Sequence, residues 1–208
     1  MTTTVKTKVF IDLDDTLLNT LALKRAIAEL CASFGFDHSE IISAYNLARE
    51  DYTVEQHLKI LSETTGKSYD ESRARSLIGS LKSKLKDFLF AETEIFLSSL
   101  DRQQFEYYLF TFGNPDFQSW KIEGSGLSSY FDEEHTLKIS HEGKAHELHD
   151  IVGDSENFLM IDDKLTELNT AEEIFGDRVE TISVFGGDLL SRLAFLCKPA
   201  EGSELIIR

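Results

Sequence analysis

Short apolar runs and longer amphipathic stretches alternate along the 208-residue chain. The run Val9-Phe10-Ile11 is rich in β-branched and aromatic residues, and it predicts a short buried strand. Similar runs predict strands at residues 107–111, 135–139, 158–161 and 179–184, and a short edge strand at residues 205–207. Strands that are separated by helices are typical of a mainly parallel sheet.

The apolar spacing changes to three or four residues after the first strand. Leu23, Ile27, Leu30 and Phe34 share one face of a predicted helix, with Asn19 as its N-cap. The same kind of spacing predicts a helix from about residue 39, another from about residue 53 to residue 66, and a long one over residues 74–88. Four amphipathic helices with no strand between them predict a compact helical insertion.

Helices and strands alternate again beyond residue 90. Helices are predicted over residues 92–100, from residue 115, over residues 144–152, from residue 165 to residue 176 and over residues 189–196. The predicted fold class is therefore α/β, with a doubly wound, mainly parallel Rossmann-like sheet and an inserted all-helical domain. Residues 1–18 and 89–208 would form the sheet domain, and residues 19–88 the insertion.

Composition and charge exclude several classes of protein. The chain has 21 Lys and Arg against 37 Asp and Glu, a formal net charge of −16, which argues against binding a nucleic acid polymer. No apolar run is long enough to span a bilayer, and the polar first eight residues lack the core of a signal peptide. We therefore expect no membrane association. Cys31 and Cys197 lack metal-type spacing, so we expect reduced, buried thiols in a cytoplasmic protein.

Carboxylates follow two of the predicted strands directly. Asp12, Asp14 and Asp15 follow the first strand, and Asp162 and Asp163 follow the strand at residues 158–161. Burying unpaired carboxylates is costly, so these groups should lie just past the strand ends, beside a cation or in water. The carboxyl ends of parallel strands share one edge of the sheet, where ligands of open α/β sheets bind. The pattern indicates a site for a hard metal ion or a phosphoryl group.

Two further polar residues lie at the ends of predicted elements, one at a strand end and one at a helix start. Thr111 ends the second predicted strand and could donate a hydrogen bond to a phosphoryl oxygen, or it could satisfy its own turn. Lys144 begins a predicted helix and could pair with a phosphate, or it could be an ordinary surface lysine. Both alternatives are open for each residue on its own.

The order of these groups resembles a known family. Asp12-x-Asp14-x-Thr16, then Thr111, Lys144 and Asp162-Asp163, match in order the four motifs of the haloacid-dehalogenase-like (HAD) hydrolase superfamily. The helical insertion resembles the cap of the subfamily whose cap lies between the first two motifs. The resemblance implies that residues 1–18 and 89–208 form the core domain and residues 19–88 the cap domain.

The same resemblance implies a role for each of these residues. Asp12 would be the nucleophile, and Asp14 the general acid and base. Thr111 and Lys144 would bind the phosphoryl group. The ligands of a Mg²⁺ cofactor would be Asp12, the backbone carbonyl of Asp14, Asp162 and Asp163. An aspartate two residues after the nucleophile, as at Asp14, resembles the pattern of the phosphatase and phosphomutase branches rather than that of the dehalogenases.

One departure from the family pattern leaves an alternative open. Lys144 is followed by Ala145, where many relatives have proline, so Lys138 remains an alternative phosphate-binding lysine. The function that the resemblance implies is a Mg²⁺-dependent phosphatase that hydrolyses a small phosphorylated metabolite through an aspartyl-phosphate. The alternatives are a phosphomutase of the β-phosphoglucomutase type, a phospho-accepting signalling module without turnover, and a catalytically silent binding protein. The sequence does not indicate the oligomeric state.

Overall fold

The computed structural model describes residues 6–140, 143–152 and 157–198. In chain order the strands and helices are β1 (Thr7–Ile11), α1 (Thr20–Ala32), α2 (His38–Ala48), α3 (Val54–Thr65), α4 (Glu71–Lys82), α5 (Thr93–Ser99), β2 (Phe105–Phe112), α6 (Pro115–Ser125), β3 (Thr136–Ile139), α7 (Lys144–Val152), β4 (Phe158–Asp162), α8 (Leu165–Phe175), β5 (Val179–Ser183) and α9 (Leu189–Leu193). Short 3-10 turns link some of them, including one at Leu85–Phe88.

The described strands form one parallel sheet in the order β3-β2-β1-β4-β5. β1 lies at its centre, with Ile11 beside Leu109 of β2 and Ile161 of β4. Successive side chains of β1 enter different cores. Val9 and Ile11 belong to a core that includes residues of α5, α6 and α9 and extends into the inserted helices, and Phe10 packs with residues of α7 and α8. Because both faces are covered, the central strands appear in the sequence as continuous apolar runs.

Strand order reverses at β1. The chain places β2 and β3 on one side of β1, and β4 and β5 on the other. In open α/β sheets the crevice beyond the carboxyl end of such a strand is the usual ligand site. The residues that follow β1, β2 and β4 therefore meet at the edge where a ligand is expected.

The four inserted helices, α1 to α4, lie in sequence between β1 and β2. The side chain at each N-cap accepts a hydrogen bond from the first turn of its helix, and these residues are Asn19, Asp37, Thr53 and Asp70. The prediction of one long helix over residues 74–88 is wrong, because α4 ends at Lys82. The Ser83 hydroxyl group bonds to the carbonyl of Ser80, and a 3-10 turn then buries Leu85 completely.

The predicted fold class is confirmed: a parallel sheet carries helices on both faces, with further helices inserted after its first strand. The predicted edge strand at residues 205–207 lies outside the described residues. Cys31 and Cys197 are both free thiols; Cys31 is buried, but Cys197 is only half-buried. Among the described helices, none has both the length and the apolar character that crossing a membrane requires.

Candidate active site

A tight turn after β1 brings Asp12 and Asp14 to the carboxyl edge of the sheet. The Asp12 amide donates to the carbonyl of Ile161 in β4, which extends the strand pairing by one residue. Asp15 then adopts a positive φ of 61°, a conformation that few residues other than glycine take. Its amide closes the turn on the carbonyl of Leu18 at 2.8 Å. The turn allows the chain to enter α1 while its carboxylates stay at the strand end.

Lys144 joins two buried carboxylates. Its ammonium group lies 2.7 Å from Oδ2 of Asp162 and also contacts Oδ1 of Asp12. All three side chains are at most 4% exposed. The backbone amide of Lys164 donates to the other oxygen of Asp162 at 2.8 Å. Both carboxylate oxygens of Asp162 thus have a hydrogen-bond partner, whereas only one oxygen of Asp12 has one.

Asp163 completes a cluster of three carboxylates. Asp12, Asp162 and Asp163 each offer an oxygen, and these atoms lie within 4.8 Å of one another. Oδ2 of Asp12 and Oδ1 of Asp163 are buried and have no hydrogen-bond partner. Such orphaned oxygens are costly unless a cation or water binds them. Oxygen donors of this kind suit a hard divalent ion such as Mg²⁺, so the residues present fit the predicted metal.

The electrostatics of the cluster indicate the same need for a cation. Burial raises the pKa of Asp12 to about 7, although Lys144 opposes the shift. Burial, followed by the neighbouring Asp162, raises the pKa of Asp163 to about 6. One lysine does not compensate three neighbouring carboxylates in this low-dielectric environment. A divalent ion would supply the missing positive charge.

Asp14 has a cationic partner that the sequence analysis missed. Nζ of Lys121, in α6, lies 2.6 Å from both carboxylate oxygens of Asp14, and the Thr20 hydroxyl donates to Oδ1 at 2.7 Å. Burial favours a higher pKa for Asp14, but the charge and hydrogen bonds of Lys121 outweigh it and hold the pKa below its ordinary value. Asp14 is therefore an ionised carboxylate in an ion pair that is largely shielded from solvent.

The predicted phosphate-binding residues, Thr111 and Lys144, and the alternative Lys138 differ in their surroundings. Lys144 lies inside the carboxylate cluster, whereas Lys138 is exposed on β3 and donates to the hydroxyl of Ser119. The geometry thus favours Lys144 over Lys138. Thr111 is fully buried near the end of β2, and its hydroxyl donates to Oε1 of Gln118 at 3.0 Å rather than to the carboxylate cluster.

A cavity of about 620 Å³ lies between the inserted helices and this edge of the sheet. Asp14, Asp15 and Lys121 form part of its wall, together with Phe112 and Asn114 from the end of β2 and the turn after it. Residues of α1 and α2 form the opposite part. A small ligand placed in this cavity would touch the turn after β1 and the inserted helices together.

The sequence model of the haloacid dehalogenase-like hydrolases matches residues 8–174, from β1 through nearly all of α8. The chain belongs to this family. The matched segment contains every residue of the site described above. The HAD-like assignment and the parallel sheet agree with the resemblance seen in the four motifs.

Solved structures of HAD-like proteins share the fold. A protein described as a haloacid dehalogenase-like hydrolase from Burkholderia xenovorans aligns with a TM-score of 0.65 at 21% identity, over 86% of this chain and 82% of that one. A HAD family enzyme from Bacteroides thetaiotaomicron, in complex with magnesium and inorganic phosphate, gives 0.56 at 16% identity, over 88% and 96%. The L-2-haloacid dehalogenase of Xanthobacter autotrophicus gives 0.51 at 15%, over 92% and 83%. No curated protein matches the chain.

One of these structures is named as a dehalogenase, and another is a complex with magnesium and inorganic phosphate. At such identities the likeness supports the HAD fold and not a particular substrate. The substrate of this chain must therefore be inferred from its own residues at the sheet edge.

Proposed function

We propose that the chain is a Mg²⁺-dependent phosphatase that hydrolyses a small phosphomonoester. The observation that carries this proposal is the orphaned Oδ2 of Asp12, buried next to Lys144 and two further carboxylates. A carboxylate so placed can attack phosphorus once the charge of the cluster is balanced. Asp14, at the second position after Asp12, favours phosphoryl transfer over dehalogenation by the family resemblance.

In the first step an oxygen of Asp12 forms a bond to phosphorus, and the bond from phosphorus to the leaving oxygen breaks. Asp14 lines the cavity. Because it is ionised beside Lys121, it would first take up a proton from solvent and would then give that proton to the leaving alkoxide. In the second step Asp14 takes a proton from water, whose oxygen attacks phosphorus and releases Asp12. The two displacements replace one difficult reaction by two easier ones.

The remaining residues of the cluster would hold the charges in place. Lys144 would bind a phosphoryl oxygen as well as Asp12, and Thr111 would do so by turning its hydroxyl away from Gln118. Asp12, the backbone carbonyl of Asp14, Asp162 and Asp163 would hold Mg²⁺. The ion would offset the repulsion between nucleophile and phosphate and stabilise the transition-state charge.

We further propose that residues 19–88 act as a cap over a core of residues 1–18 and 89–208. The cavity between α1, α2 and the sheet edge supports this division, because both parts form its wall. Closing such a cap would exclude bulk water during transfer and select the substrate. The free thiols Cys31 and Cys197 support a reducing, cytoplasmic location.

The test is a screen of small phosphoesters, with and without Mg²⁺, that measures released phosphate. Asp12→Asn should reduce hydrolysis about a thousandfold or more while the protein stays folded. Asp116→Asn, an exposed acid of α6, is the matched control and should leave hydrolysis unchanged. Near-normal turnover by Asp12→Asn would refute the nucleophile.

Product analysis separates the alternatives. A phosphomutase would return the phosphoryl group to the substrate, and mass analysis would find an isomeric phosphoester instead of free phosphate. A signalling module would give a stable phosphoryl adduct without turnover. Release of halide from a 2-haloacid, with no phosphate release, would favour dehalogenase chemistry.

A further inference from the structure

Two arginines of the inserted segment line the cavity, and neither has a partner among the described residues. Arg25 lies in α1 and Arg49 directly follows α2, and both line the cavity that Asp14 and Lys121 also line. We propose that they bind a second anionic group, carried by the part of the substrate that leaves. This inference rests on the proposed phosphatase function.

Arg25 and Arg49 differ from the other arginines of the described chain. Each of the others has a hydrogen bond, an ion pair or an aromatic ring as partner; these are Arg73, Arg75, Arg102, Arg178 and Arg192. Within the described residues, no carboxylate, carbonyl or ring partners Arg25 or Arg49. A guanidinium group presents several donors in a planar fork that matches carboxylate or phosphate oxygens.

The charge of the cavity wall is opposite to that of the whole chain. Acidic residues outnumber basic ones by 37 to 21 in the sequence. The described cavity wall instead has five basic side chains, namely Lys24, Arg25, Arg49, Lys121 and Lys164, against two acids, Asp14 and Asp15. Lys121 is already paired with Asp14. The surplus positive charge is therefore carried by Lys24, Arg25 and Arg49 of the inserted segment and by Lys164, and it would attract an anion.

Several polar side chains of the wall already have hydrogen-bond partners within the protein. The hydroxyl of Tyr52 is bonded to His57, the Asn114 side chain accepts from the amide of Phe117, and Gln118 is bonded to Thr111 and to the carbonyl of Phe112. The rings of Phe112 and Phe117 also face this space. A substrate would thus be recognised mainly at its two anionic ends, and apart from Tyr45 and His38 its middle would meet few polar groups that are free to bind it.

The experiment compares matched probes that differ only in the second anion. The pairs are glycerol 3-phosphate with 3-phosphoglycerate, phenyl phosphate with 4-carboxyphenyl phosphate, and fructose 6-phosphate with fructose 1,6-bisphosphate. Their differing lengths allow for the distance between Asp12 and the arginines. Calorimetric binding to Asp12→Asn, in the presence of Mg²⁺, measures affinity without turnover, and kcat/KM is measured on the otherwise unchanged protein.

In at least one pair the doubly anionic member should bind about tenfold more tightly, because a charge-assisted contact is gained. Arg25→Gln or Arg49→Gln should remove that preference and leave the singly anionic member within about twofold. Arg75→Gln, which changes an arginine of α4 outside this cavity, should preserve it. Equal binding within every pair, or a preference that survives both substitutions, would overturn the inference.

The two proposals fail differently. If the protein hydrolyses the singly anionic esters as efficiently as their partners, the phosphatase stands and the second anion site falls. If no ester is hydrolysed but arginine-dependent binding of the doubly anionic probes is seen, the anion site stands and the phosphatase falls.

Discussion

Lys121 lies 2.6 Å from both carboxylate oxygens of Asp14, although 107 residues separate the two in the chain. The lysine side chain is only 3% exposed, and that of Asp14 is 20% exposed. The pair fixes α6 against the turn after β1. It also places a cation next to the residue to which we assign proton transfer, so the local geometry of the proposed acid and base depends on a helix outside the four family motifs.

Lys121→Met should lower the free energy of unfolding by about 1–3 kcal/mol, because it leaves a largely buried carboxylate without its partner. Combining it with Asp14→Asn should cost less than the sum of the two single changes, since the uncompensated charge is then gone. Urea unfolding of the four proteins measures this coupling. Lys59→Met, at an exposed lysine, should change stability by about 0.5 kcal/mol or less. Strict additivity would show that the ion pair contributes nothing.

The sequence predicted the parts of the site that follow buried strands. Asp12, Asp162 and Asp163 come directly after apolar runs, and parallel strands bring their ends to one edge. Lys144 was considered because it begins a predicted helix, and the resemblance to the family's third motif then implied its phosphate-binding role. The order of the strands in the sheet was not available from the pattern, because it depends on which side of β1 each crossover packs.

Lys121 was missed because its role depends on the rotation of α6. Gln118, Lys121, Ile122 and Ser125 are all buried and lie on one face at helical spacing. A search for apolar stripes treats such polar positions as the solvent face. A lysine and a glutamine three residues apart on a face that also contains Ile122 were the available signal. His57 of α3 is likewise a buried polar residue, hydrogen-bonded between Tyr52 and the carbonyl of Ile41.

Millimolar MgCl₂ should raise the melting temperature. An ion that binds only the folded carboxylate cluster stabilises it by about 1.4 kcal/mol at ten times its Kd, or a few degrees for a chain of this size. NaCl at equal ionic strength controls for screening. Asp163→Asn should remove most of the shift, and Asp87→Asn, at an exposed acid, should keep it. A melting temperature that does not respond to Mg²⁺ would contradict a preformed metal site.

His57 should make the protein less stable in acid. Its Nε2 donates to the carbonyl of Ile41 at 2.9 Å, and in the neutral ring Nδ1 accepts from the Tyr52 hydroxyl. Burial lowers the pKa of His57 from its ordinary 6.5. Below pH 6.5 the unfolded chain takes up a proton that the folded one resists, so stability falls as the pH drops. Urea unfolding from pH 7.5 to 5.5 should show the stability gap between wild type and His57→Gln narrowing.

His135 provides a control of opposite sign. A hydrogen bond to Asp132 raises the pKa of this half-buried histidine above 6.5. The contribution of His135 to the free energy of unfolding is therefore complete below pH 6.5 and is lost as the pH rises through the raised pKa. The gap between wild type and His135→Gln should widen towards acid. Parallel profiles for both variants would mean that neither ring has a shifted pKa.

Two helical glycines should respond to alanine in opposite directions. A Cβ at Gly124 of α6 would lie 2.6 Å from Cδ1 of Leu85 and 2.7 Å from the carbonyl oxygen of Lys82, whereas one at Gly79 of α4 would meet nothing within 4 Å. Gly124→Ala should lower the free energy of unfolding by about 1–3 kcal/mol because the helices must separate. Gly79→Ala should raise it by about 0.5–1 kcal/mol, the difference in helix propensity.

The close approach at Gly124 also bears on the site, because α6 carries Lys121. If α6 moves away from the inserted segment, the ion pair with Asp14 must stretch or the turn after β1 must follow. Gly124→Ala should therefore be non-additive with Lys121→Met, and Gly79→Ala should be additive with it, in the same urea measurement. Additivity at both glycines would mean that α6 can shift at one end without disturbing Asp14.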